Sequence, residues 1–89
     1  MMNKTITIIN KLGLHARAAA KFVTIASKFE SSIEIACKAN KVNGKSIMGV
    51  MMLAASKGTE IDLIISGADE EQALTALTEL INNRFDEKE

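Results

Sequence analysis

The sequence predicts an α+β fold: a two-layer sandwich with an antiparallel sheet and helices on one face. Three observations predict it. Short runs carry the marks of strands, two of them alternating apolar and polar residues with period two. Other segments repeat their apolar residues at helical spacing. No proline occurs anywhere in the chain, and no linker or internal repeat divides it.

The elements follow in order. Thr5-Ile6-Thr7-Ile8-Ile9 is β-branched throughout and predicts a first strand. Residues 10–13 form a loop. Ala19, Phe22, Val23 and Ala26 share one helical face, which predicts an amphipathic helix over residues 16–28. Ile33, Ile35 and Cys37 alternate with Glu34, Ala36 and Lys38, so this strand is half-buried. A turn at residues 38–40 lets Lys41-Val42-Asn43 pair back as a hairpin. Ser46 is a good N-cap for an apolar helix over residues 47–55, closed by Lys57-Gly58. Ile61, Leu63 and Ile65 mark a fourth strand. Asp69 and Gln72 are spaced as a capping box for a last helix, whose stripe is Leu74, Leu77, Leu80 and Ile81. The charged residues 86–89 are expected to fray. The order is βαββαβα.

Composition narrows the function. At 89 residues the chain is expected to form one domain, residues 1–89. Its hydrophobic content of 47% suits a globule rather than a disordered chain. Eleven Lys and Arg balance eleven Asp and Glu, so there is no electrostatic footprint for nucleic acid. Three phenylalanines, with no Trp or Tyr, make a poor stacking platform for single strands. The lone cysteine, Cys37, has no disulfide partner within the chain and reads as a buried strand residue. With His15 it falls short of a zinc set, so neither metal nor cofactor is implied. The first residues are too polar for a signal peptide, and no apolar run approaches the roughly 20 residues of a membrane span. A cytoplasmic protein is expected.

His15, the only histidine, falls just before the helix that starts at Ala16. The first backbone N–H groups of a helix have no internal partner and, with the helix dipole, favour an anion. Here they belong to Ala16, Arg17 and Ala18. Arg17 adds a guanidinium suited to phosphate oxygens. The same positive helix end disfavours imidazolium, leaving a neutral ring that is a nucleophile. A phosphoryl group on a ring nitrogen would be received by the helix amides and Arg17. No second acid–base residue is expected beside His15, so a carrier fits better than an autonomous enzyme. A histidine standing alone at a helix end would, however, more often be a mediocre cap.

The motif settles the weighting. Asn10-Lys11-Leu12-Gly13-Leu14-His15-Ala16-Arg17 resembles the phosphohistidine motif of the HPr phosphocarrier family of the phosphoenolpyruvate-dependent phosphotransferase system. Gly44-Lys45-Ser46-Ile47-Met48-Gly49-Val50-Met51 resembles the family's second signature, in register. The resemblance spans the chain. It implies an open-faced sandwich with a four-stranded antiparallel sheet and three helices. It implies that His15 accepts a phosphoryl group from Enzyme I on Nδ1 and passes it to an EIIA-type protein, with Arg17 steadying the phosphate. The family usually has proline where this chain has Ala18. That position lies in the first turn, where its N–H needs no intrahelical acceptor, so alanine is tolerated.

Ser46 has two readings. Capping alone accounts for it. In Gram-positive relatives the matching serine is phosphorylated by an HPr kinase, and a phosphate there would set negative charge beside the docking face. Ile47, Met48 and Met51 are expected to surface in part. Flexible methionines suit a face that must fit several partners weakly. Ala20 and Lys21 would share that face, which must stay free, so a monomer is expected. Two branches of the family stay open. The tail Asn83-Arg84-Phe85-Asp86-Glu87 is similar to the nitrogen-related branch, while Gly44-Lys45-Ser46 leans towards the sugar-transport type. The alternative is a regulatory binding module that acts through Ser46 and the Met48/Met51 face without histidine transfer. An acyl carrier is opposed by the near-neutral charge and the lack of an acidic DSL-type attachment site.

Overall fold

The computed structural model describes residues 1–88. Four strands and three helices follow in the expected order: β1 (Met2–Thr7), α1 (Ala16–Ala26), β2 (Ser32–Cys37), β3 (Asn40–Asn43), α2 (Ile47–Met52), β4 (Glu60–Ser66) and α3 (Glu70–Asn82). The sheet is antiparallel throughout, in the order β1-β4-β2-β3. Period-two patterning fixes its register. Ile61 of β4 lies opposite Ile6 and Leu63 opposite Ile35, all four buried, whereas Asp62 lies opposite Thr5 and Ala36, none of them buried, so the two faces alternate along the strand.

All three helices cover the buried face. Ile33, Ile35, Ile61, Leu63 and Ile65 meet Ala19, Phe22 and Ala26 of α1 and Ala73, Leu77 and Ile81 of α3 in one core. Cys37 is buried there too. Each large apolar side chain so buried contributes about 1.5–3 kcal/mol before chain entropy is set against it. The sheet's other face is open.

Several expectations are corrected. β1 is displaced towards the N-terminus, to Met2–Thr7, because β4 pairs with it there. Ile8 goes on to exchange backbone bonds with Thr59 and Gly58 at 2.9 and 2.7 Å. α1 ends at Ala26, two residues early, with Ser27 as its C-cap. α2 stops at Met52, not at residue 55: Ala54 takes φ 50°, which frees the Ala55 carbonyl to accept from Leu14 N at 2.8 Å. Lys57-Gly58 therefore turns the chain into β4 instead of closing the helix. Asp69 does precede α3, but its side chain caps nothing and no capping box forms. It accepts instead from the Glu30 and Ser31 backbone N–H groups, at 2.8 and 2.9 Å, and from the Ser31 hydroxyl. Finally, the tail is held as far as Glu87, which meets His15 and Asn10; Glu89 lies outside the described residues.

Gly44 owes its place to packing. A Cβ there would fall 2.6 Å from Ile33 Cγ2, and its N–H bonds to Ile33 O at 2.7 Å. Only glycine lets the backbone pass so close to β2.

Candidate functional site

The loop before α1 is shaped by Asn10 and Gly13. Asn10 is fully buried, and its amide donates to Gly13 O at 2.8 Å. Gly13 turns with φ +65°, a conformation glycine adopts without penalty. Leu14, buried next to it, is fixed through its N–H to Ala55 O. His15 follows in extended conformation as the N-cap of α1, and its side chain makes no capping bond.

The first intrahelical bond runs from Ala19 N to His15 O at 2.8 Å. The N–H groups of Ala16, Arg17 and Ala18 precede it and have no acceptor within the helix. Ala16 and Arg17 are exposed, whereas Ala18 has no accessible surface and packs into the core. His15, Ala16 and Arg17 line an open depression with Lys11, Leu12 and Glu87. Arg17 also borders a second depression with Ala20, Lys21 and Asp86.

One neighbour was not foreseen. The Glu87 carboxylate meets His15 Nε2, so an acid–base group does stand beside the histidine. Both are sheltered, with 28% of the His15 side chain and 13% of the Glu87 side chain accessible. The other Glu87 oxygen accepts from Asn10 Nδ2 at 3.0 Å. Burial pushes the Glu87 carboxyl up, but hydrogen bonds from His15 and Asn10 outweigh it together with the charge of Arg17 and, whenever the ring is protonated, of His15. The net shift is downward, so the group is held as a carboxylate.

The tail reaches His15 through an unusual turn. Arg84, Phe85 and Asp86 all have positive φ, at 56°, 54° and 64°. Each such non-glycine residue costs of order 1 kcal/mol and persists only when its surroundings hold it. Phe85 is fully buried, Lys21 Nζ donates to Phe85 O at 2.9 Å, and the same ammonium lies 3.5 Å from Asp86 Oδ2. Lys21 is thus engaged with the tail.

The second group of candidates lies on α2, packed against α1. Ser46 Oγ accepts from Gly49 N at 3.1 Å and caps the helix. Ile47, Met48 and Met51 are 44%, 73% and 41% exposed, and Met52, which the pattern did not single out, is 75% exposed. No α2 residue lines either depression next to Arg17. Among the described residues no group of His, Cys, Asp and Glu could hold a metal ion, and no helix is long and apolar enough to cross a membrane.

The chain is thus an open-faced βαββαβα sandwich with its one histidine at the head of the first helix, the arrangement that the motif resemblance implies. The family model described as "PTS HPr component phosphorylation site" matches residues 2–83. The phosphocarrier protein HPr of Neisseria meningitidis serogroup A is 57% identical over 89 residues, covering 100% of both chains. Among solved structures, HPr-C-His from Thermoanaerobacter tengcongensis superposes with a TM-score of 0.96 at 50% identity, covering 100% of both chains. An HPr dimer from the same organism matches with a TM-score of 0.79 at 52% identity, covering 98% of this chain and 100% of that one. The chain belongs to the HPr family of phosphocarrier proteins of the phosphotransferase system.

Proposed function

We propose that the chain accepts a phosphoryl group from Enzyme I on His15 Nδ1 and delivers it to an EIIA-type protein in the cytoplasm. The placing of His15 carries this reading. It caps α1 without using its ring for the cap, and the adjoining Ala16 and Arg17 are exposed residues whose amides have no intrahelical acceptors. Ala18 contributes from beneath the same turn. Arg17 supplies the charge that steadies the added phosphate.

Ala20, Lys21, Ile47, Met48 and Met51 form the partner surface in this reading. Ile47, Met48 and Met51 are the adaptable part of it, and the exposed Met52 extends it. The chain works as a monomer, because one surface meets each partner in turn. A phosphate on Ser46, supplied by an HPr kinase where one exists, would set charge on that surface.

The test is to incubate the protein with Enzyme I, Mg²⁺ and labelled phosphoenolpyruvate, beside His15→Ala. Acid-labile, alkali-stable label on the wild type alone is the expected result. Label that survives His15→Ala, or none from several competent Enzyme I preparations, removes the carrier reading. The remaining reading would then be a module that signals by binding through Ser46 and α2.

A further inference from the structure

We infer that Glu87 is a positioning residue for His15: it takes the Nε2 proton in a hydrogen bond and so presents Nδ1, bearing its lone pair, to the phosphoryl donor. This rests on the carrier reading above.

The geometry is that of a sheltered chain of hydrogen bonds, from buried Asn10 through Glu87 to His15. Neutral imidazole carries one N–H, and whichever nitrogen meets an obligate acceptor holds the proton. Glu87 is held as a carboxylate, which only accepts, and it faces Nε2. The proton therefore sits on Nε2, and the lone pair is left on Nδ1.

Asn10 fixes the carboxylate in turn. It is fully buried, and its amide bridges Gly13 O, in the loop that carries His15, and Glu87 Oε1. One side chain thus ties the histidine's own loop to the group that orients its ring. The left-handed turn at Arg84–Asp86, anchored by the buried Phe85, brings Glu87 back across the sequence to this point. A side chain spent only on solubility would need none of these supports.

The step balances. The Nδ1 lone pair forms the new N–P bond while the donor's bond to phosphorus breaks, and its electron pair returns to the donor. No proton leaves the ring. Positive charge develops on the imidazole during attack, and Glu87 lies where it can stabilise that charge through Nε2–H.

The test has two readouts on wild type and Glu87→Ala, with folding checked by thermal melting. The first is the ring ¹⁵N spectrum of His15 in the unphosphorylated protein, at a pH where the ring is neutral. The Nε2–H tautomer should dominate in the wild type and give way to a mixture in the variant. The second is the rate of phosphorylation by Enzyme I, with the chain as varied substrate. Loss of an orienting partner should lower kcat by about tenfold to a hundredfold with little change in KM. A wild-type ring protonated on Nδ1, or a variant with unchanged tautomer and unchanged kcat, overturns the proposal. Failure of the carrier reading looks different: the wild type itself takes no label on His15, while the tautomer measurement still decides what Glu87 does.

Discussion

Gly13 rests directly against the carbonyl of Ala55. A Cβ at Gly13 would fall 2.4 Å from Ala55 O and 2.8 Å from Ser56 Cα, both backbone atoms that cannot swing aside. The same carbonyl accepts the Leu14 N–H, so this contact fixes the loop that leads directly into His15. Gly13→Ala should therefore cost about 2–4 kcal/mol, from the left-handed backbone and the clash together. Urea denaturation measures it. Phosphorylation of His15 should slow as well, because the loop is displaced; an unchanged urea midpoint would show that the loop yields freely.

This contact also marks where sequence stops being legible. The strands and the faces of α1 and α3 could be read because each buries one side, and burial leaves a period in the sequence. The early end of α2 could not. Residues 53–55 are apolar and helix-compatible, yet Ala55 is needed by the loop of Gly13 and Leu14, a demand from a distant segment. His15 could be found because a helix start is local. Glu87 could not, since 72 residues separate it from His15 and it returns through three left-handed residues, none of them glycine. Local spacing marks Asp69 as a cap, but the loop at Ser31 competes for its carboxylate and wins with three donors to one site.

Ser46 separates capping from signalling. Its hydroxyl satisfies Gly49 N, so Ser46→Ala should cost about 1 kcal/mol in denaturant titration. Ser46→Asp retains a capping acceptor and should leave stability within about 0.5 kcal/mol of wild type. It adds charge next to the apolar face of α2, so Enzyme I should phosphorylate it more slowly. Equal rates for Ser46→Asp and wild type would confine Ser46 to its structural role.

Met48 and Met52 are the most exposed of the α2 side chains, and neither supports the core. The double variant Met48→Ala/Met52→Ala should leave the melting temperature close to wild type. If these side chains anchor Enzyme I, its KM for the variant should rise roughly tenfold, the scale of one well-placed interface residue. Steady-state phosphorylation kinetics give the answer. A normal KM would move the docking surface away from this end of α2.

Asp69 gives the fold an acid-sensitive tether. Its carboxylate joins the start of α3 to the loop between α1 and β2. The Ser31 hydroxyl bond first, then those from the Glu30 and Ser31 backbone, hold its carboxyl below the ordinary 3.8 against a smaller opposing effect of burial. A folded-state value below the unfolded one means stability that is fully present above the unfolded value. That stability is lost as pH falls through the folded one. Asp69→Asn should therefore unfold at lower urea concentration than wild type near neutral pH, because the neutral amide is a weaker acceptor and its NH₂ can meet the same donors. The gap should narrow as pH drops below about 3.9, where the unfolded chain's carboxylate takes up a proton, and should go on closing until the folded carboxylate is protonated too. Urea midpoints of both proteins across that range decide the matter. A gap of constant size would mean that Asp69 matters for shape alone and that its charge contributes nothing to holding α3 against the loop.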